Sequence, residues 1–150
     1  MKLPIRLSLA LLSAAAVFAP AAHAQSAYCN KPFQHYGSVV LNQGYSGATG
    51  DFTVPAGYRL KIEYVSAGLR LSTNEGRSAF AILTTAGGSS TWHSLPILTG
   101  YALNDRMTSS AVSLYADPGT AVRVEINRNT GTNLIGYGRF SVTGCLYPAV

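Results

Sequence analysis

The sequence predicts an exported, all-β, single-domain protein, and four observations support this. The first 24 residues have the pattern of a secretory signal peptide, and no later window sustains the 3.6-residue period of a helix. Short stretches in which apolar and polar residues alternate recur instead, bounded by Gly, Pro and Asn. The chain contains two cysteines, which lie near the two ends of the predicted mature protein.

The N-terminal segment begins with basic Lys2 and Arg6, continues with an apolar run over residues 7–18 and ends in the small-residue sequence AHA. This order predicts a signal peptide over residues 1–24, with cleavage after Ala24. A membrane anchor is the alternative, but it would need about 20 continuous apolar residues, and this run is shorter. We therefore expect the protein to be secreted or periplasmic.

Cleavage would leave residues 25–150, a length of 126 that suits one β-sandwich domain with one hydrophobic core. No later segment is apolar enough to span a bilayer as a helix, so we expect no transmembrane segment in the mature chain. Removing Lys2 and Arg6 from the 11 basic residues leaves nine against six acidic ones, a net charge of +3. The basic residues are scattered, which argues against nucleic acid as a partner.

Eight strands are predicted from the alternating stretches and the turn sequences between them. The turns, among them AGGSS and NDRMTSS, are rich in residues that tolerate positive φ or favour tight turns. Eight short strands at this spacing predict an antiparallel β-sandwich or a barrel. We expect the sandwich, with the jelly roll as one form of it, because the terminal cysteines then join the first and last segments. The predicted strands cover residues 38–41, 51–54, 58–71, 78–84, 90–98, 111–115, 120–127 and 134–142.

Cys29 and Cys145 are predicted to form a disulfide, because two cysteines in an exported protein most simply pair with each other. The bond would close a loop of over a hundred residues, which the chain-entropy model values at on the order of 4 to 5 kcal/mol. A reactive thiol pair is the alternative, but the Cys-x-x-Cys spacing typical of such pairs is absent.

The stretch DFTVPAGYRLKIEYVSAGL alternates strongly after its turn. Its pattern predicts that one face of the strand is apolar and aromatic, with Tyr58, Leu60, Ile62 and Tyr64, and that the other is charged, with Arg59, Lys61 and Glu63.

A later stretch, residues 119–125, repeats the Gly, basic and acidic positions of residues 57–63. The charged pairs, Lys61 with Glu63 and Arg123 with Glu125, belong either to a two-part site or to the solvent-exposed sides of sheets. We favour exposed sheet faces, because a turn that starts a half-buried strand produces this pattern without any ligand.

The combination of FTVPAGYRLKIEYVSAG with the late GYGRFSVTGCLYP resembles small exported bacterial β-sandwich proteins of uncharacterised function. In such proteins a VPAG turn precedes an alternating strand, and a closing strand ends in Gly followed by an apolar segment. The resemblance covers roughly residues 51–69 and 134–147. It implies the sandwich fold and the export route, and it carries no catalytic or binding residue.

Motifs for catalysis, metals or phosphate are not apparent. The two histidines after residue 24 have no metal-ligand spacing, and neither a nucleophile elbow nor a glycine-rich loop before a helix is found. We therefore predict no catalytic residue, no metal site and no cofactor. The acidic residues are too far apart in sequence to indicate a glycosidase pair.

The candidate ligand contacts are Trp92, His93 and Tyr101, because aromatic faces beside neutral hydrogen-bonding side chains suit a sugar. If residues 90–98 alternate as a strand, Leu95 and Ile97 share the core face with His93, and Trp92 points outward. The alternative is that Trp92 fills the core, as single tryptophans in β domains often do.

These observations predict a non-enzymatic binding or interaction module whose partner is a protein or glycan surface. A carbohydrate-binding or carbohydrate-active protein is the second hypothesis, and a structural, envelope-associated protein is the third. An open aromatic face would favour binding, converging carboxylates in a deep cleft would favour an enzyme, and a flat exposed edge strand would favour assembly.

Overall fold

The computed structural model describes residues 29, 31–71, 78–99, 105–128 and 133–149. These residues contain nine strands and no helix, which confirms the all-β prediction. The predicted signal peptide and Tyr101 lie outside the described residues. The strands are β1 (Pro32–Leu41), β2 (Gly47–Thr53), β3 (Tyr58–Arg70), β4 (Ser78–Ala86), β5 (Ser89–Leu95), β6 (Leu98–Thr99), β7 (Asp105–Ala116), β8 (Ala121–Arg128) and β9 (Gly136–Pro148).

The strands form two antiparallel sheets that pack face to face. The five-stranded sheet has the order β1-β9-β3-β7-β6, and the four-stranded sheet has the order β2-β8-β4-β5. Eight strands have seven or more residues, and they pair in a nested way: β1 with β9, β2 with β8, β3 with β7, and β4 with β5. This nesting of a long ribbon wound into two sheets is the jelly-roll arrangement. The sandwich prediction is therefore confirmed.

The core lies between the sheets and consists of the inward residues of their alternating strands. Phe140 of β9 is wedged between Gly37 of β1 and Gly50 of β2, where an added Cβ would lie 2.3 Å from the ring in either case. Glycine at both positions thus lets one aromatic ring fill the junction of the two sheets. The largest fully buried apolar side chains are Leu41, Val54, Leu60, Ile62, Val65, Leu69, Phe80, Ile82, Val122, Val124 and Ile126.

The repeated turns before β3 and β8 lie side by side. The backbone N–H of Val54 donates to the carbonyl of Thr120 at 2.9 Å, and the N–H of Gly119 donates to the carbonyl of Val54 at 3.0 Å. Gly57 and Gly119 have φ values of 76° and 72°, which a side chain would oppose. The sequence repeat is therefore explained by two turns that support each other at one end of the sandwich.

A β-bulge in β3 corrects the predicted faces of that strand. Glu63 is the extra residue where β3 pairs with β9, so the inward positions shift from Ile62 to Val65. Tyr64, which simple alternation predicted on the core face, is 41% exposed on the outer face. The alternation prediction was wrong from this point because an added residue reverses the side-chain phase.

Several predicted strand ends were also wrong. β1 begins at Pro32, and β9 runs on to Pro148, because each completes the other's ladder over ten residue pairs. β7 begins at Asp105, so much of the predicted NDRMTSS turn is strand. β5 ends at Leu95, and Ile97 is 48% exposed rather than in the core, since Pro96 cannot donate a ladder hydrogen bond.

The predicted disulfide between Cys29 and Cys145 is present, with a Cα–Cα distance of 5.6 Å and a sequence separation of 116. Cys145 lies opposite Pro32 in the pairing of β9 with β1, so the bond fixes the segment before β1 against the last strand. Such a bond is typical of proteins in oxidising compartments.

Arg128, at the end of β8, is buried and connects two loops. Its guanidinium donates hydrogen bonds to the carbonyls of Asn42 (2.9 Å), Tyr45 (2.9 Å) and Leu134 (2.7 Å). Burial of a cation is costly unless its donors are satisfied, and these carbonyls satisfy three of them. Because Leu134 comes just before β9, this contact also positions the start of that strand, where Tyr137 lies.

Candidate functional site

The outer face of the five-stranded sheet has a hollow centred on Gly68 of β3. In the register of the sheet, Gly68 lies between Arg139 of β9 and Met107 of β7. The next outward row contains Ser141, Ser66 and Ser109, which are also small. Small residues in the middle of a sheet leave a depression between the larger side chains of neighbouring rows.

Two adjoining hollows, of about 270 Å³ and 290 Å³, share Gly68, Met107 and Arg139 in their linings. We call this continuous depression the Gly68 groove. Its first part includes Arg70, Asp105, Arg106 and Tyr137, and its second part includes Tyr36, Ser66, Ser109 and Ser141.

Exposed tyrosines stand at the two ends of the Gly68 groove. Tyr137 is 60% exposed and Tyr36 is 61% exposed, although both are large aromatic side chains. Tyr36 pairs with Ser141, which is four residues from Tyr137 along β9, and it lies one strand away, so the two positions are roughly 14 Å apart. Tyr64 stands beside the groove, and its hydroxyl forms a hydrogen bond with Ser109. The surface therefore combines aromatic faces with a floor of serine hydroxyls.

The charged residues of the groove are mostly basic. Arg70 and Arg139 line it together with one carboxylate, that of Asp105. Arg106 also borders the groove, but it lies opposite the buried Leu69 and so occupies an inward position of β7. Arg70 and Asp105 are directly opposite in the β3–β7 register, yet they do not form an ion pair. Within the described ranges the ion pairs are Arg59 with Asp117 and Lys61 with Glu63, and both lie away from the groove lining.

The structure separates the sequence-predicted contacts Trp92 and His93. Trp92 points outward from the four-stranded sheet, as the alternation of β5 predicts, and it is 46% exposed opposite Leu83 of β4. His93 points to the other side of β5, and its Nε2 lies 3.3 Å from the Thr84 hydroxyl oxygen. The two side chains therefore do not form one site. Tyr101, the third candidate, lies outside the described residues.

His93 lines a separate hollow of about 270 Å³, which is not part of the Gly68 groove and lies where β5 and β7 border the gap between the sheets. Arg59 and Tyr115 also line it. The Arg59 guanidinium lies 3.3 Å from the Asp117 carboxylate and 5.3 Å from the centre of the Tyr115 ring. Its charge is thus already balanced within the protein, which makes this hollow a weaker candidate for a charged ligand.

The charged pairs of the sequence repeat lie on opposite sides of the molecule. Lys61 and Glu63 belong to β3 of the five-stranded sheet, whereas Arg123 and Glu125 belong to β8 of the four-stranded sheet. Arg123 is exposed and Lys61 is partly buried on its outer face, where its ammonium donates to Glu63 at 3.0 Å. This hydrogen bond, and then the carboxylate charge, raise the pKa of Lys61. The structure thus does not bring the pairs together.

The residues of the Gly68 groove were not identified as a site by the sequence patterns. The available signal was the set of tyrosines at outward strand positions, such as Tyr36 and Tyr137. Their convergence depends on the pairing of β1 with β9, which joins residues about a hundred positions apart along the chain.

Two further properties concern the described residues alone. No group of three or more His, Cys, Asp or Glu side chains is placed to hold a metal ion in this part of the chain. No helix that is long and apolar enough to cross a membrane occurs among the same residues.

The sequence matches no family model and no curated protein. Among solved structures, 81% of the chain aligns with dimeric latent PorU from Porphyromonas gingivalis, at 10% identity and a TM-score of 0.40, and this chain spans only 14% of PorU. A structure of Bacillus endospore appendages, described as disulfide-linked pili, aligns with 78% of the chain and is itself 90% covered, at 16% identity and a TM-score of 0.31. Neither similarity is close enough to support a functional conclusion.

Proposed function

We propose that the protein is an exported, non-enzymatic binding module and that the Gly68 groove binds a carbohydrate chain. Export is supported by the predicted signal peptide and by the disulfide between Cys29 and Cys145. The observation that carries the binding proposal is the pair of exposed tyrosines at the ends of a serine-floored groove. Aromatic rings stack against the C–H faces of sugars, while hydroxyls and guanidinium groups bond their oxygens.

The arrangement supports binding more than hydrolysis. Glycoside hydrolysis uses two carboxylates on either side of the scissile bond. Among the described residues that line the groove, Asp105 alone carries a carboxylate. The groove is also open along its length, which suits a chain that lies across the sheet rather than a substrate enclosed for reaction.

The variant Gly68→Val tests this proposal directly, because its side chain would fill the groove from the floor. A Cβ at Gly68 would meet only the carbonyl oxygen of Arg106, at 3.9 Å, so Gly68→Val places a branched side chain in the groove without displacing the core. We expect this variant to fold normally and to lose at least about ten-fold in affinity for any glycan that a glycan array identifies. Ala79→Val, at an exposed position of β4 in the other sheet, is the matched control.

Tyr137→Ala should have a similar effect, because it removes an aromatic face at one end of the groove. Tyr45→Ala is its control, since Tyr45 is 66% exposed and is not part of the groove lining. Unchanged glycan affinity in both Gly68→Val and Tyr137→Ala would exclude the groove as the binding site. Titration by calorimetry with the array-selected glycan supplies the measurement.

A protein partner on the four-stranded sheet is the second candidate function. The exposed Trp92 beside Leu83 supports it, because a large exposed aromatic side chain is unfavourable in water unless a partner covers it. The two functions use opposite faces of the sandwich, so a ligand can be assigned to one or the other.

A further inference from the structure

We infer that the ligand of the Gly68 groove is an acidic polysaccharide whose carboxylates bind to its arginines. This inference rests on the proposed function, and it specifies the class of sugar. Two guanidinium groups, those of Arg70 and Arg139, face one carboxylate in the first part of the groove. A neutral glycan has no negative group that could pair with this excess positive charge.

Arg139 is the better placed of the two for a ligand. It lines both parts of the groove, lies beside Gly68 in the sheet register, and is exposed. Within the described part of the chain it has no ion-pair partner. A planar guanidinium can bind a carboxylate through two parallel hydrogen bonds, which an ammonium group cannot do.

Arg70 is a second arginine that can bind an anionic ligand, because it does not form an ion pair with Asp105. They are opposite each other across β3 and β7, where a cross-strand ion pair would be the simplest way to neutralise both. They remain separate in the structure, so Arg70 is available to an anionic group. A chain with a carboxylate on successive sugar units can contact Arg70 and Arg139 together, while its rings lie against Tyr137.

A matched pair of probes tests the charge requirement. Oligogalacturonate and its methyl ester have the same sugar backbone and differ in whether the carboxyl groups are charged. We expect the oxidised protein to bind oligogalacturonate at least about ten-fold more tightly than the ester, with an affinity that falls as salt rises. Arg139→Gln should remove most of that difference and leave binding of the ester nearly unchanged. Arg123→Gln, the same change at an exposed position of the four-stranded sheet, should alter neither.

The other outcomes overturn the inference in distinguishable ways. Equal affinity for the two probes, or array binding confined to neutral glycans, would remove the acidic ligand and leave the proposed carbohydrate function in place. No binding to any glycan would remove both. Equally tight binding of inorganic polyphosphate, with the same sensitivity to Arg139→Gln, would show that charge alone is recognised and that the sugar is irrelevant.

Discussion

The outer faces of the two sheets differ in how their side chains are arranged. Across the middle of the five-stranded sheet, Gly68 and three serines form a low floor between exposed tyrosines, and arginines line the groove. On the four-stranded sheet, Trp92, Leu83, Arg123 and Asp51 follow one another across four strands in a single row. The first face offers a groove, and the second offers a row of larger side chains.

The difference shows that the binding surface of a sandwich is set by its outward-facing residues. The core fixes the fold but does not determine which residues face outward. Both sheets bury the same kind of apolar side chains, and either could have faced solvent with an unremarkable polar surface. Exposure of large aromatic side chains to water is unfavourable, and the fold does not need aromatic residues at these outward positions. Their concentration around a floor of small residues on one sheet is therefore the argument for a binding site there.

The largest expected effect concerns the disulfide that fixes the segment before β1 to β9 in the five-stranded sheet. Replacing both Cys29 and Cys145 by Ala should lower the free energy of unfolding by on the order of 4 kcal/mol, because the bond restricts a loop with a sequence separation of 116. Urea unfolding of the oxidised protein and of the double variant measures this. Hydrogen exchange should also increase more in β1 and β9 than in β4. A stability within about 1 kcal/mol of the parent would contradict a structural role for the bond.

A smaller effect distinguishes a glycine of the groove from a glycine of the core. Gly50→Ala should lower the free energy of unfolding by about 1 to 3 kcal/mol, because its Cβ would lie 2.3 Å from the Phe140 ring. Gly68→Ala should leave it unchanged or raise it by up to about 1 kcal/mol, since the floor has room and alanine suits a strand better than glycine. Thermal unfolding of the two variants compares them directly. Equal destabilisation would mean that Gly68 is packed and that the groove is not open.

The local features of the fold could be predicted from the sequence, whereas the groove could not. The alternation of β3 and β8, their proline-glycine turns, the disulfide and the outward direction of Trp92 each depend on short-range patterns or on residue type. The bulge at Glu63 adds one residue to a regular pattern, and only the pairing of β3 with its neighbouring strands reveals it. The groove requires β1, β3, β7 and β9 to be neighbours, and such distant pairings are not encoded in the period of any one strand.

The smallest expected effect concerns the fluorescence of Trp92, which should not change when a glycan binds. This measurement tests whether the ligand binds to the five-stranded sheet. Trp92 is the chain's single tryptophan and is 46% exposed, so its emission should be red-shifted and readily quenched by acrylamide. Because Trp92 lies on the four-stranded sheet, a glycan bound in the Gly68 groove should leave its emission and quenching unchanged. Protection of Trp92 by such a glycan would instead place the ligand on the four-stranded sheet and reverse the comparison of the two faces. A Trp92→Ala variant that keeps full glycan affinity gives independent support, because it removes the aromatic ring from the four-stranded sheet without touching the groove.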